Sequence, residues 1–147
     1  FANADRKTLE KEIHSTGFYR NKAKNIINAC KMIEEKFSGK VPNTMPELLE
    51  LPGVARKTAN IVLSEGYGKI EGIAVDTHVT RLSNRLGLTK HKNPEKIERD
   101  LMQLFPKKDW SEVSLRLIWH GRAVCKARKP LCASCSVSKL CPSAFKF

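Results

Sequence analysis

Residues 51–60 read Leu-Pro-Gly-Val-Ala-Arg-Lys-Thr-Ala-Asn, and this stretch decides how the rest of the chain is read. A Pro-Gly pair signals a tight turn, and apolar residues at helical spacing flank it. Thr44 opens a short helix carrying Met45, Leu48, Leu49 and Leu51; a second helix runs from Ala55 to about Glu65. A helix that begins just after such a turn aims its free backbone N–H groups at one spot. A phosphate can sit there without any base being read. A plain helix–helix connection would carry the same turn. Leu51, Gly53, Ala55 and Arg56 are the candidates for this contact.

Lys57 falls in the first turn of the second helix. The positive end of the helix dipole disfavours a cation there, and a lysine that is partly neutral can act as a nucleophile and form a Schiff base. The plainer reading is a solvated surface lysine. Farther along, Val75-Asp76-Thr77-His78 opens another helix, with Asp76 as an N-cap accepting from the amide of His78 or Val79. A capping carboxylate is held in a fixed position and stays ionised, so capping leaves room for a second role.

Working outward, Asp5 caps a first helix that carries Leu9 and Ile13 and ends near Gly17. A second helix spans about Asn21 to Phe37, with Ile26, Ile27, Cys30 and Ile33 as its apolar stripe and Ser38-Gly39 as its stop. After a loop containing Gly66, Gly68 and Gly72, further helices are expected over Pro94–Phe105 and Ser111–Val124. Strand alternation is almost absent, and the fold class is all-α. No apolar run approaches the roughly 20 residues of a membrane span, and no basic-then-apolar leader opens the chain. It begins Phe1-Ala2-Asn3-Ala4-Asp5 without an initiator methionine, as a processed or truncated product would.

Lysine and arginine number 27 against 15 acids, a formal net charge of +12. Such an excess favours a polyanionic partner, because neutralising phosphates releases their condensed counterions.

Four of the five cysteines lie in the last quarter of the chain, as Cys125-x6-Cys132-x2-Cys135-x5-Cys141. Four thiolates in one short, aperiodic segment suit a soft metal centre. Absence of a leader weighs against disulfides. Zinc sites usually show two short ligand knuckles, whereas this segment has one, so the uneven spacing suits an iron–sulfur cluster somewhat better than zinc. Cys30, on the apolar stripe, reads as an ordinary core cysteine. Lys126, Arg128 and Lys129, between the first two ligands, place three cations beside the centre, where they offset its charge or face a DNA backbone.

Taken together, LPGVARKTAN at 51–60, AVDTHVTRLSNRLG at 74–87 and the cysteine ending resemble the endonuclease III family of DNA glycosylases. The resemblance extends from TGFYRNKAKNI at 16–26 to Cys141. It implies a helix–hairpin–helix glycosylase fold. Residues 1–75 would form the hairpin domain, a partial helical barrel, and residues 76–147 a cluster domain with its 4Fe–4S loop at 125–141. Lys57 would be the nucleophile, Asp76 the essential aspartate, and Cys125, Cys132, Cys135 and Cys141 the cluster ligands. Phe18 falls in the loop whose apolar residue wedges into the duplex opposite the lesion in relatives; its other reading is a core aromatic. The implied activity is base-excision repair of oxidised pyrimidines, with abasic-site lyase cleavage by β-elimination. The partner would be double-stranded DNA carrying a damaged base or an abasic site. The protein would be monomeric and cytoplasmic, nucleoid-associated in a prokaryote. Monofunctional mismatch glycosylases share the hairpin, the aspartate and the cluster but lack a lysine at the position of Lys57. A DNA-binding module without catalysis is the remaining alternative. In the family further helices precede the point where this chain begins. Many relatives also carry glycine where Ala55 stands, so a φ > 0 requirement there would cost alanine about 1 kcal/mol.

Overall fold

The computed structural model describes all 147 residues, and it contains helices and no strand. The chain divides into two compact units, Phe1–Leu63 and Ser64–Phe147.

In the first unit α1 spans Arg6–Glu12, α2 Tyr19–Phe37, α3 Met45–Glu50 and α4 Arg56–Ile61. Asp5 caps α1, its Oδ2 accepting from Thr8 N at 2.8 Å and Thr8 Oγ1 at 2.9 Å. The backbone bond from Thr8, then the hydroxyl bond, hold its carboxyl below the ordinary value of 3.8. A lowered carboxylate stabilises the folded state above that ordinary value and loses the effect as pH falls through the lowered one. Leu9, Ala23 and Ile27 bury the α1–α2 contact, with Ile26 and Ile13 packed beside it. Met45, Leu48, Leu51, Ala59 and Leu63 form the hairpin core, covered by Met32, Ile33 and Phe37 from the far half of α2. Cys30 is half-buried on this helix.

In the second unit α5 spans Thr77–Arg85, α6 Pro94–Leu104 and α7 Trp110–Ala123. Asn93 caps α6 through bonds from Glu95 N and Lys96 N. Ile73, Val75, Val79, Ile97, Leu101 and Val113 make the core. Ser114 Oγ, buried on α7, donates to Ala74 O at 2.7 Å and ties the segment leading to Asp76 onto that helix.

Helix identities match the sequence-based expectation, and the differences lie at the ends. α2 begins at Tyr19 behind a residue with no side-chain cap, so no capping signal marked its start. α1 stops at Glu12, and a 3₁₀ turn over His14–Thr16 fills the space before Gly17. The helix expected from Ala55 to Glu65 is α4 followed by a π-helical turn over Val62–Gly66. Over a single turn, apolar spacing cannot tell a period of 3.6 from a wider one.

Gly53 is the position where the hairpin requires glycine. Val54 N donates to Leu51 O at 3.0 Å across Pro52-Gly53, and Gly53 has φ +80°, as the third residue of a type II turn must. A Cβ there would stand 2.7 Å from Asn25 Nδ2 and 2.8 Å from Asn25 Cβ. Gly53→Ala is therefore expected to destabilise the chain by about 2 kcal/mol or more, combining left-handed strain with overpacking, as measured by the shift in urea-unfolding midpoint.

Candidate nucleic-acid interface and cysteine centre

Ala55 is the residue before α4, with φ −97° and ψ 170° and no side-chain cap. That is extended backbone any residue adopts, so alanine carries no left-handed penalty and the hairpin needs no remodelling. Lys57 is the second residue of α4 and exposed, as are Gly53 and Ala55. Arg56 is half-buried. Leu51 is 4% exposed and belongs to the hairpin core, so only its backbone is available to a ligand.

Phe18 is 88% exposed, which removes the core-aromatic reading. Gly17 has φ +66° and Phe18 itself φ +48°, a left-handed conformation rare for a bulky side chain. The segment is braced from α2: Lys22 Nζ donates to Thr16 O at 2.7 Å, and Lys22 N to Phe18 O at 3.0 Å. His14 and Tyr19 pack their rings 4.5 Å apart at its base. The loop is thus fixed while its aromatic ring stands in solvent.

In the second unit Asp76 caps α5 as expected, its Oδ1 accepting from Val79 N at 2.8 Å. The residue is half-buried. One oxygen is engaged by the cap, which fixes the carboxylate at the start of the helix.

All five cysteines are free thiols. Cys125, Cys132, Cys135 and Cys141 line one cavity, whose walls include Leu82, Val124 and Leu131. No three His, Cys, Asp or Glu side chains close on one point to hold a single metal ion. The thiols stand around a space instead, with apolar walls. Four thiols lining one apolar-walled cavity are a donor set that fits a soft metal centre.

Three neighbours of this centre escaped the sequence reading. Arg81 Nη2 donates to Gly121 O and Cys125 O, both at 3.0 Å. One helical turn on, Arg85 Nη1 donates to Cys125 Sγ at 3.3 Å. His120 Nε2 lies 3.5 Å from Cys135 Sγ. The available signal was the i, i+4 spacing of Arg81 and Arg85 on the helix that Asp76 opens, which puts both on one face. Lys126, Arg128 and Lys129 are exposed, and Lys129 takes φ +52°. These cations make no bond to the centre, whereas Arg85 does.

Residues 1–107 match the HhH-GPD superfamily of base excision DNA repair proteins, and the chain belongs to that superfamily. Within it the chain falls in the endonuclease III family. Endonuclease III of Synechocystis sp. (strain ATCC 27184 / PCC 6803 / Kazusa) is 62% identical over 143 residues, covering 97% of this chain and 65% of the relative. The chain thus spans somewhat under two thirds of that relative's length. A solved non-covalent endonuclease III–DNA complex superposes with a TM-score of 0.92 at 44% identity, covering 99% of this chain and 68% of that one. A trapped covalent endonuclease III–DNA intermediate, an estranged-adenine complex, superposes with the same TM-score of 0.92, identity of 44% and coverages of 99% and 68%.

Asp76→Ala is expected to lose the cap and about 1 kcal/mol of stability, whereas Asp76→Asn retains the acceptor and most of that stability. Urea unfolding of the two variants beside the parent measures the difference.

Proposed function

We propose that this chain is the hairpin and cluster portion of a base-excision DNA glycosylase with abasic-site lyase activity, acting on oxidised pyrimidines in double-stranded DNA. The observation that carries the reading is Lys57, exposed in the first turn of the helix that follows the hairpin. The covalent intermediate trapped for a 44% identical endonuclease III supports a nucleophile in this lineage. Monofunctional mismatch glycosylases lack a lysine at this position, so Lys57 favours the bifunctional reaction.

The damaged nucleotide leaves the stack at a cost of a few kcal/mol. The amine of Lys57 attacks the sugar C1′; an N–C1′ bond forms as the glycosidic bond breaks and the base departs with the electron pair. Asp76, held in place by its cap, stabilises the cationic sugar and moves protons. Opening of the sugar gives a protonated Schiff base, which acidifies the C2′ proton. Removal of that proton expels the 3′ phosphate by β-elimination.

The exposed hairpin residues Gly53 and Ala55, with the backbone of Leu51 and the side chain of Arg56, grip DNA phosphates. Phe18 is the wedge in the duplex, and Lys126, Arg128 and Lys129 track the backbone. Cys125, Cys132, Cys135 and Cys141 hold a 4Fe–4S cluster, which keeps the loop of residues 125–141 in shape. Functionally, residues 1–75 are the hairpin domain and residues 76–147 the cluster domain. The protein acts as a cytoplasmic monomer; no helix of the chain is long and apolar enough to cross a membrane.

Borohydride trapping on duplex DNA with an abasic site, using the cluster-loaded chain beside Lys57→Ala, tests the reading. The parent is expected to form a covalent adduct that the variant lacks, with strand cleavage falling at least about a hundredfold. Unchanged DNA affinity with no adduct and no cleavage from the folded parent would establish the non-catalytic DNA-binding module in its place.

A further inference from the structure

Arg85 makes more contacts than one hydrogen bond to a thiol requires. Its Nη1 donates to Cys125 Sγ at 3.3 Å and to Lys126 O at 2.8 Å, and its Nη2 donates to Ala127 O at 3.0 Å. The fork therefore fixes the first cysteine and the two carbonyls that follow it. The ring of Phe147 lies against the same guanidinium, with Cζ 3.9 Å from the ring centroid. Both side chains line the cysteine cavity. Phe147 also borders the groove on which Cys132 opens, beside Leu131 and Phe145. Phe147 is 63% exposed, so burial does not hold its ring in place. The stack on Arg85 supplies that hold.

We propose that Arg85 and Phe147 form a latch that closes the cysteine cavity and protects the thiolates and the group they carry. The proposal rests on the reading of the four cysteines as cluster ligands. Arg85 suits the part because a planar guanidinium can offer its edge to carbonyls and sulfur while its face stacks on an aromatic ring; a lysine offers a point charge and no face. Phe147 adds no polar bond. Its role is to cover, stacked on the face that Arg85 presents.

The test uses the full chain, parent against Phe147→Ala, Phe147→Trp and Arg85→Lys. Iron and acid-labile sulfide are assayed first, and a folded parent that binds neither overturns the cluster reading. In the loaded chains the readout is bleaching of visible absorbance by an iron chelator. In metal-free chains it is the alkylation rate of Cys125 and Cys132, resolved by peptide mass spectrometry. The alkylation assay decides the latch even where the cluster reading fails. Phe147→Ala is expected to speed both processes roughly two- to fivefold, the effect of losing one surface cation–π contact. Arg85→Lys should do the same, and Phe147→Trp should restore the parent rates, with the urea midpoint unchanged between the two Phe147 variants. Parent-like rates in Phe147→Ala overturn the latch, as does acceleration that Phe147→Trp fails to reverse. Parent-like rates in Arg85→Lys overturn the assignment of Arg85.

Discussion

Gly121 lets α7 come close enough to α5 for the second unit to work as it does. A Cβ there would lie 3.0 Å from Arg81 Nη2, His78 Nδ1 and Leu82 Cδ1 at once. Because the side chain is missing, Arg81 reaches the carbonyls of Gly121 and Cys125 and ties the end of α7 to the first cysteine. α5 begins at the cap made by Asp76 and ends at Arg85. One short helix therefore fixes a carboxylate at its positive end and the cysteine loop at the other. Its rigidity comes from the buried residues Val79, Leu82 and Ser83 along its inner face.

Helix identity was legible in the sequence because apolar spacing and caps agree along most of the chain. Asp5 and Asp76 each precede a helix and each accepts from its first turn. The hairpin turn was legible too, since a Pro-Gly pair between apolar segments signals a tight turn. What stayed hidden depends on contacts distant in sequence. Arg85 meets Cys125 across 40 residues, and no local rule links an arginine late in one helix to a cysteine beyond another. Periodicity also cannot show that Leu51 is spent on packing while its neighbours Gly53 and Ala55 stand exposed. The conditional cost assigned to Ala55 failed for a related reason: one residue past the turn the backbone has already returned to the extended region.

Cations near the cysteines separate into two kinds. Arg81 and Arg85 spend their donors on backbone carbonyls and a thiol, so their charges are directed inward. Lys126, Arg128 and Lys129 lie exposed on the loop that those arginines hold. An exposed charge keeps its hydration until a polyanion displaces the counterions, and its pull is screened within about a Debye length. The net charge of +12 thus overstates what is free to meet a polyanion, because part of it is already committed to the protein's own carbonyls and sulfur.

Backbone strain sorts the same way. Four non-glycine residues have positive φ: Phe18, Ser38, Lys129 and Phe145. Ser38 has a structural reason, since it ends α2 in the left-handed conformation common at helix C-termini, with its N–H and that of Gly39 directed to Ile33 O. Phe18 has none of that kind. It occupies the cap position of α2 without capping it, and its ring is left in water. Left-handed backbone costs about 1–2 kcal/mol per residue, and an exposed phenylalanine recovers little by burial in the free protein. Such a cost persists where the surroundings over-determine the conformation, as the Lys22 brace and the His14–Tyr19 contact do here. A braced, strained and solvent-facing aromatic is what the role proposed for Phe18, entry into the duplex, would require.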